Sequence, residues 1–508
     1  MRFMGTAATP PATLLSGLFD VLDHHVRTRP DAPALVVTQQ RIAVTYATLG
    51  RWADDVAAGL TADGLRRGEV IAVVDVNTAE FVVALLAAAR IGAVVAPLDP
   101  ALADAEMTDR LARLGARAVL TGPCEHALGT HRVRVTASRA TVEPTRGATV
   151  EPTVRQAVDL GLGPDDALIL FTSGTTGRAK MVPWTHANIA ASVHGICAAY
   201  ELGDGDATVA VMPFFHGHGL VAVLLSTLAG GGKVLLPAHG RFSAHTFWAD
   251  MRDADATWFT AVPTIHQILL QRPDEEHPPL RFVRSCSAPL DPATAEAAER
   301  RFGAPMLEAY GMTETTHQAA SRRVRTHDPR MSVGPASGAA RFRVVRSDGG
   351  ECTPAETGEV WVSGPAVVRG YLADPENTAQ AFTDGWFRTG DLGALDADGN
   401  LQLAGRIKNI INRGGEKISP EHVEGVLTGC DGVFEAVVFA IPDATYGEQV
   451  GAAVVPAAAH VSADDILAQC RTGLAPYEVP ARLDIVESLP HTAKGAIDRQ
   501  AVKLLFAH

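Results

Sequence analysis

Residues 171–180 carry the pattern in this chain that is best suited to binding chemistry. They read Phe-Thr-Ser-Gly-Thr-Thr-Gly-Arg-Ala-Lys, so two glycines, four hydroxyls and two cations follow a short apolar run. Glycines let the backbone turn sharply and expose N–H groups, which together with hydroxyls and cations suit an oligoanion such as triphosphate. A flexible polar loop is the duller interpretation, and the lysine is not placed as in a Walker loop. The residues predicted to bind nucleotide phosphates are Thr172, Ser173, Gly174, Thr175, Thr176, Gly177 and Lys180.

Several other motifs occur in order along the chain. They are residues 212–220 (Met-Pro-Phe-Phe-His-Gly-His-Gly-Leu), 284–290 (Arg-Ser-Cys-Ser-Ala-Pro-Leu), 307–314 (Leu-Glu-Ala-Tyr-Gly-Met-Thr-Glu), 386–391 (Trp-Phe-Arg-Thr-Gly-Asp), 405–408 (Gly-Arg-Ile-Lys) and 489–499 (Leu-Pro-His-Thr-Ala-Lys-Gly-Ala-Ile-Asp-Arg). Together with residues 171–180 they resemble the adenylate-forming superfamily, which includes acyl-CoA synthetases, nonribosomal adenylation domains and luciferases. The resemblance covers essentially the whole chain. Residues 240–243, 260–267 and 284–288 look closest to the oxalate–CoA ligase branch.

This resemblance implies a nucleotide site. The ring of Tyr310 is expected to pack on adenine, Thr313 to contact the α-phosphate, and Glu314 to coordinate Mg²⁺ rather than to be a plain surface acid. Asp391 and Arg406 are expected to bind the ribose. The other positions that the resemblance places beside the nucleotide are Ser287, Ala288, Pro289, Glu308, Ala309, Gly311 and Met312.

The resemblance also implies an acyl pocket. Its residues are expected to be Phe215, His216, His218, Gly219 and His317. The spacing of His216 and His218 would suit a metal, but no third ligand is evident nearby, so a pocket wall is favoured. His317 is open to two interpretations, a contact to a substrate carboxylate or a cap on a turn. The neighbouring Cys286 is interpreted as a small buried residue, because no base that would activate a nucleophile is indicated.

Two segments near the C-terminal region are expected to act in domain movement and thiol binding. Lys408 belongs to the interdomain hinge by resemblance. Residues 412–417 read Asn-Arg-Gly-Gly-Glu-Lys, which would suit a simple hairpin turn. In relatives that form acyl-CoA, this loop lines the tunnel for the pantetheine arm, and Gly414 and Gly415 leave room for it.

The last motif departs from the family pattern at one position. The family reads Pro-x-Thr-x-x-Gly-Lys-Ile-x-Arg, and this chain has Ala496 in place of the lysine. That ammonium bridges the substrate carboxylate and the α-phosphate during adenylation. Preorganised electrostatic help of this kind is worth about 3 to 4 kcal/mol, or about 10² to 10³ in rate. Lys494 is an alternative source of charge, because residues two apart in an extended segment share a face and lie about 6.5 to 7 Å apart.

These residues predict an acid–thiol ligase in which Ala496 impairs adenylation. Attack of a thiol on an adenylate is expected to remain, because the mixed anhydride is already activated and AMP is a good leaving group. The expected substrates are acyl-AMP, or ATP and an acid with Mg²⁺, together with CoA, and a separate adenylating enzyme would supply the acyl-AMP. The alternatives are a complete ligase that uses Lys494, transfer to a carrier-protein thiol, and a non-catalytic sensor of acyl-adenylates or AMP.

Composition and net charge narrow the classes of partner and the locations that are expected for this protein. The 508 residues are 47% hydrophobic and 20% charged, with a net charge of −13. That charge argues against a nucleic-acid partner. We expect no membrane association and a cytoplasmic location, because no signal peptide or spanning segment is evident and the six cysteines show no paired spacing. The apolar residues 220–228 are predicted to form a buried helix.

The fold class is predicted to be α/β, since β-branched runs alternate with alanine-rich stretches, as at residues 69–74, 79–91 and 93–97. We expect a large N-terminal region of packed α/β subdomains (residues 1–405), a hinge (406–408) and a small mobile α+β domain (409–508). Residues 140–145 recur as residues 148–153 (Ala-Thr-Val-Glu-Pro-Thr). One such pair predicts a mobile surface loop over residues 136–154 rather than a repeat architecture.

Overall fold

The computed structural model describes residues 20–38, 42–124, 126–145, 159–172, 178–273, 275–324, 332–457, 461–492 and 497–506. Within these ranges the chain forms five sheets with helices packed around them. The predicted mixed α/β class, with a large N-terminal region and a small C-terminal domain, is confirmed.

A seven-stranded sheet dominates the N-terminal part, with strand order β7-β6-β5-β3-β4-β8-β9. Its central strand β3 is fully buried and pairs in parallel with β4 and β5, as expected for a sheet covered by helices. The predicted strand–helix–strand unit is confirmed. The elements up to residue 200 are α1 (Asp20–Thr28), β1 (Pro33–Val37), β2 (Ile42–Thr45), α2 (Tyr46–Ala62), β3 (Val70–Val74), α3 (Ala79–Arg90), β4 (Val94–Leu98), α4 (Asp104–Leu114), β5 (Ala118–Thr121), β6 (His131–Val135), β7 (Ala140–Pro144), β8 (Asp166–Phe171), β9 (Met181–Thr185) and α5 (His186–Tyr200).

The prediction of a mobile loop at the duplicated segment is wrong for its first copy. Residues Ala140–Pro144 form strand β7, which pairs antiparallel with β6 at the edge of the large sheet. Thr141 and Val142 are β-branched, and Pro144 ends the strand, which an edge position tolerates. The second copy, residues 148–153, lies outside the described residues.

The middle of the chain supplies two smaller sheets. One has the order β10-β11-β1-β2, and the other β12-β13-β14-β15 with its first three strands parallel. A buried π-helix and α6 confirm the buried helix predicted at residues 220–228. The elements are β10 (Ala207–Val209), the π-helix (His218–Leu225), α6 (Ser226–Ala229), β11 (Lys233–Leu236), α7 (Phe247–Asp253), β12 (Trp258–Ala261), α8 (Pro263–Gln271), β13 (Phe282–Ser285), α9 (Pro292–Phe302), β14 (Met306–Tyr310), a 3₁₀ turn (Thr313–Thr315) and β15 (Ala320–Ser321).

A fourth, antiparallel sheet has the order β16-β17-β19-β18, and β20 also pairs with β19. The sequence Asp-Ala-Asp-Gly-Asn at residues 396–400 predicts a hairpin turn. The structure places this turn between β19 and β20, where the carboxylate of Asp396 accepts from the backbone N–H groups of Asp398 and Asn400. The elements are β16 (Arg341–Val345), β17 (Gly358–Ser363), α10 (Pro375–Ala381), β18 (Phe382–Thr383), β19 (Trp386–Leu395), β20 (Leu401–Arg406) and a 3₁₀ turn (Ile407–Asn409).

The C-terminal part has its own sheet, β22-β21-β24-β23, with β25 beside β24. It also has its own apolar cluster, which includes Ile411, Val438 and Ile466. The division at residues 406–408 remains a prediction, although the 3₁₀ turn lies there. The elements are β21 (Ile411–Arg413), β22 (Glu416–Ile418), α11 (Pro420–Thr428), β23 (Val433–Asp443), β24 (Gly447–Pro456), α12 (Ala463–Gly473), β25 (Arg482–Ile485) and α13 (Arg499–Phe506). Among the described helices, none has the length and apolar content to cross a membrane.

Candidate active site

The guanidinium of Arg284 lies at the centre of a buried polar cluster. It projects from β13, next to the carboxyl ends of the parallel strands β12 and β14, where ligands commonly bind in α/β sheets. Its side chain is fully buried. It donates to Tyr200 Oη (2.9 Å), Thr260 Oγ1 (3.0 Å), His218 Nε2 (3.1 Å), His317 Nε2 (3.0 Å) and Gln318 Oε1 (2.9 Å). In the part of the chain that the structure describes, no carboxylate bonds to this cation.

Arg284 fixes the protonation of both histidines. A guanidinium can only donate, so the Nε2 atoms of His218 and His317 must accept, and each imidazole carries its proton on Nδ1. Thr260 Oγ1, 2.6 Å from His218 Nε2, accepts from Arg284 and donates to the histidine. Burial, and then the charge of Arg284, lower the pKa of both histidines well below the usual value. The site therefore contains neutral N–H donors backed by a permanent cation.

The proton on His218 Nδ1 points to Ser287, whose Oγ lies 3.1 Å away. Ser287 was expected beside adenine by resemblance, and the structure joins it to the histidine cluster. Its hydroxyl proton is left to donate elsewhere, because the oxygen already accepts from His218. Both nitrogens of His218 are engaged within this cluster, which does not fit the alternative of a metal ligand.

Backbone strain is concentrated at the same place. Ser287, Thr316 and His317 have φ values of +76°, +49° and +83°, which non-glycine residues adopt rarely. The strained turn is held by bonds from His317 N to Met312 O (3.1 Å) and from Ser192 Oγ to Thr316 O (2.6 Å). A side chain at Gly311 would meet His317 O at 1.7 Å, so glycine is required there. His317 thus closes a turn with its backbone, while its side chain faces Arg284.

Three residues predicted to bind adenine and ribose come together around Asp391. Tyr310 Oη donates to one carboxylate oxygen at 2.5 Å, and Arg406 Nε lies 2.7 Å from the other. Asp391 and Arg406 are register partners in β19 and β20. Burial raises the pKa of Asp391 above its usual value, against the opposing effects of Arg406 and Tyr310.

Lys180, Tyr371 and Glu314 lie together on the phosphate side of the site. Thr172 and Lys180 close the base of the predicted phosphate loop, with Thr172 N donating to Lys180 O at 3.0 Å. The loop residues Ser173, Gly174, Thr175, Thr176 and Gly177 lie outside the described residues. Lys180 Nζ sits 4.4 Å from the centroid of the Tyr371 ring, and Tyr371 Oη donates to Glu314 Oε1 at 2.8 Å. Trp184 Nε1 donates to Thr313 O at 2.8 Å, which fixes the turn that carries Glu314.

Glu314 is suited to the Mg²⁺ that the resemblance implies. It is 9% exposed, and its Oε2 makes no hydrogen bond to any described residue. Mg²⁺ is commonly held by one or two carboxylates together with substrate phosphates. Among the described residues there is no group of three or more His, Cys, Asp or Glu side chains that would hold an ion by itself.

The described contacts of the expected thiol loop lie outside this site, whereas the expected hinge residue Lys408 is close enough to Arg406, Asp391 and Lys180 to interact with their charges. Gly414 and Gly415 form the turn between β21 and β22, and Gly414 N donates to Tyr446 O at 2.9 Å. Lys408 is exposed in the 3₁₀ turn after Arg406. Their predicted roles remain predictions.

Lys494 and Ala496 lie outside the described residues, but the described residues on both sides of them are anchored. His491 Nε2 is 2.7 Å from Glu435 Oε1, and Arg499 is 2.5 Å from Glu424 Oε2. A β-bridge joins His491 to Ile497.

Comparison with known proteins places this architecture in a family. Residues 22–372 match the model of the AMP-binding enzyme family, and residues 422–496 match its C-terminal domain. The chain belongs to the AMP-binding enzyme family. It is 43% identical to the oxalate–CoA ligase of Arabidopsis thaliana, over 96% of this chain and 98% of that protein.

Two further relatives support the same placement. Identity to the sulfoacetate–CoA ligase of Cupriavidus necator is 35%, over 96% of this chain and 98% of that protein. The crystal structure of ATP-bound MatB from Rhodopseudomonas palustris has a TM-score of 0.84 and 28% identity, over 97% of this chain and 99% of that one. The protein is thus an enzyme of the acyl- and carboxylate–CoA ligase group, a group that uses ATP, CoA and Mg²⁺ in general. The predicted oxalate–CoA ligase-like branch is confirmed.

Sequence reasoning missed several members of the site. The sequence predicts no role for Arg284 and Thr260 beyond their place in residues 284–290 and 260–267, and it predicts none for Tyr200, Gln318 and Tyr371. One signal was available for Arg284, because an arginine in the buried strand Phe282–Ser285 is uncommon unless its charge is used. The partners of Arg284 come from distant segments, and no local pattern connects them.

Proposed function

We propose that this AMP-binding enzyme forms CoA thioesters of a small carboxylic acid that carries a second anionic group, with oxalate as the first candidate. The observation that supports this proposal is the buried Arg284, which has no carboxylate among its bonded partners. Burying an uncompensated cation is costly. An anionic substrate would offset that cost when it binds.

The substrate would meet the donors in front of Arg284 rather than the guanidinium itself, whose N–H groups are all engaged. Ser287 Oγ–H, with His218 behind it, is one such donor, and His317 Nδ1–H is another. These neutral donors lie in the positive potential of Arg284, which would favour a second carboxylate or sulfonate over an apolar tail. Oxalate and sulfoacetate, the acids named for two relatives, each carry two acidic groups.

The reaction would proceed in two half-reactions. The acid carboxylate attacks the α-phosphorus of ATP and releases pyrophosphate, and the CoA thiol then attacks the acyl carbonyl and releases AMP. Tyr310, Asp391 and Arg406 would bind the nucleoside, while Lys180 and Thr313 would bind the phosphates. Bound Mg²⁺, with Glu314 as its ligand, would neutralise phosphate charge.

We further propose that the two half-reactions are unequal in rate. With Ala496 in place of the family lysine, adenylation would lack about 3 to 4 kcal/mol of transition-state stabilisation. Thioester formation from a preformed adenylate needs no such cation. If adenylation is slow enough, acyl-AMP from a separate enzyme would become the effective substrate.

The decisive experiment compares two substrate sets in the purified protein. One set is acid, ATP, Mg²⁺ and CoA, with oxalate, malonate, sulfoacetate and acetate as acids; the other is the matching synthetic acyl-AMP with CoA. We expect oxalate or sulfoacetate to exceed acetate, and acyl-AMP to react faster than acid with ATP. A preference for acetate would contradict the substrate class, and equal rates from both sets would contradict the imbalance.

A complete ligase that uses Lys494 is the second candidate. The similarity to an oxalate–CoA ligase, which extends over nearly the full length of both proteins, favours this candidate. ATP–pyrophosphate exchange that is fast in the wild-type protein and lost in Lys494→Ala would establish this candidate.

A further inference from the structure

Residues 368–372 carry Tyr371 and connect the turn that holds Glu314 with the strand that follows Lys180. Val368 N donates to Glu314 O at 3.0 Å, and Leu372 N donates to Met181 O at 2.9 Å, next to Lys180. Between these bonds Gly370 has a φ of +144°, and a side chain there would meet Thr378 Cγ2 at 2.4 Å. The backbone is therefore fixed at both ends of the segment, and Tyr371 has a defined position between Lys180 and Glu314.

The Tyr371 side chain contacts two groups of opposite charge. Its hydroxyl donates to Glu314 Oε1 at 2.8 Å, and Lys180 Nζ lies 4.4 Å from its ring centroid. No ion pair joins Lys180 to Glu314 in the described part of the chain. Each charged group instead has a weaker interaction with the same neutral side chain.

We propose that Tyr371 is a positioning residue that keeps Lys180 and Glu314 from pairing with each other. A direct ion pair would occupy the ammonium needed by phosphate and the carboxylate needed by Mg²⁺. The ring face and the hydroxyl orient both groups but leave N–H donors on Lys180 and Oε2 on Glu314 available. The inference rests on the proposed function, because nucleotide and metal are substrates or cofactors of that reaction.

The first test removes only the hydroxyl. In Tyr371→Phe the ring remains under Lys180, but Glu314 loses the bond that orients it. Groups that orient a metal ligand typically contribute 10- to 100-fold to metal affinity, so we expect Mn²⁺ to bind at least about tenfold more weakly in the presence of α,β-methylene-ATP. Electron paramagnetic resonance of free Mn²⁺ measures this affinity without turnover.

The second test removes the ring as well. Tyr371→Leu allows Lys180 and Glu314 to approach each other, so we expect the affinity for metal-free α,β-methylene-ATP in EDTA to fall about tenfold by calorimetry. Tyr371→Phe should bind the metal-free nucleotide as the wild type does. The reaction of synthetic acyl-AMP with CoA should lose less rate than adenylation in both variants, since that step needs neither pyrophosphate contacts nor the metal.

Tyr46→Phe is the matched control. Its hydroxyl is also buried and donates to Leu228 O and Gly232 O, outside the nucleotide site. It should leave Mn²⁺ affinity unchanged. Two results would overturn the role of Tyr371 but leave the proposed function standing. One is wild-type Mn²⁺ affinity in Tyr371→Phe, and the other is a loss of the acyl-AMP reaction in the Tyr371 variants as large as their loss of adenylation. A wild-type protein that binds no adenine nucleotide would overturn the proposed function with it.

Discussion

Two arginines, the buried Arg284 and the half-buried Arg499, show how the same group serves different purposes in this protein. Arg499, the final residue of the last motif, donates to Glu424 and to Val438 O, and Glu421 lies 3.7 Å from it. Arg284, in the proposed acyl pocket, is bonded only to neutral groups among the described residues. A neutralised cation holds a segment in place, whereas an uncompensated one produces a positive potential that a ligand can use.

The two regions also differ in whether every group that their chemistry needs is present. Around Arg284 every N–H donor has an acceptor, and the strained turn at His317 is braced by backbone bonds. The last motif has its anchors, His491 on Glu435 and Arg499 on Glu424, but Ala496 replaces the residue that those anchors would position. Substrate recognition and adenylation chemistry should therefore respond separately to mutation.

The largest expected effect follows from removal of the Arg284 cation from the proposed acyl pocket. Arg284→Met keeps much of the volume but removes the positive potential and the bonds that set the histidine tautomers. We expect kcat/KM for oxalate to fall about 10²- to 10³-fold, because truncating a buried charged partner costs about 2 to 5 kcal/mol. Acetate, with one carboxylate, should be affected much less. Steady-state kinetics on both acids measures the change in their ratio.

Arg499→Met is the control that sharpens the contrast between the two arginines. It leaves Glu424 without its partner, so we expect a lower thermal unfolding midpoint for the C-terminal domain. The preference for oxalate over acetate should persist in any protein that remains folded. If the two arginine variants alter acid preference alike, the distinction between a bracing and a recognising arginine fails.

Ala496→Lys tests the incomplete region. The restored ammonium should raise oxalate-dependent ATP–pyrophosphate exchange by about 10² to 10³-fold, the range attributed to one preorganised electrostatic contact. The rate with synthetic oxalyl-AMP should change little, since that step does not use this lysine. No gain in exchange would show that other parts of the nucleotide site limit adenylation.

Local patterns in the sequence were sufficient for the α/β class and for the family. The strand–helix alternation at β3, α3 and β4 and the turn after β19 follow from periodicity and turn residues, and the structure confirms both. The duplicated segment was harder to interpret, because a proline and several threonines suit either a loop or an edge strand. Only pairing with β6, which depends on tertiary structure, makes Ala140–Pro144 a strand.

The site was predictable only where its residues belong to motifs to which the family resemblance assigns a role. Tyr310, Asp391 and Arg406 were expected at the nucleotide, and the structure brings them together. The connection between Arg284 and His317 joins separate segments, so neither local sequence indicated it. Tyr371 likewise contacts Glu314 across 57 positions in the chain, which no spacing rule anticipates.

Glu308 gives a pH-dependent test of the nucleotide side. Burial raises the pKa of its carboxyl from 4.5 to about 7, against the charge of Arg322. The folded protein therefore binds more protons than the unfolded chain between these values, and stability falls as pH rises through that window. At pH 8 the ionised Glu308 carboxylate is expected to lower the free energy of unfolding by up to about 3 kcal/mol. Glu308→Gln should remove this loss and raise the unfolding midpoint at pH 8.

Thermal unfolding between pH 4.5 and 8 measures the effect. Parallel pH profiles for wild type and Glu308→Gln would show that Glu308 is not the source of the slope.

The smallest effect is expected at Ser287, which lies between His218 and the proposed substrate. Ser287→Ala leaves the +76° backbone as strained as before, because alanine tolerates that region no better than serine. It does remove the oxygen that accepts from His218 Nδ1. The loss of one such bond corresponds to about 1 kcal/mol, so kcat/KM for oxalate should fall about five- to tenfold while the unfolding midpoint stays near that of the wild type. An equal loss with acetate would mean that Ser287 contacts the reacting carboxylate and not the second anionic group. The second anionic group would then have to bind another donor of this cluster, such as His317 Nδ1–H.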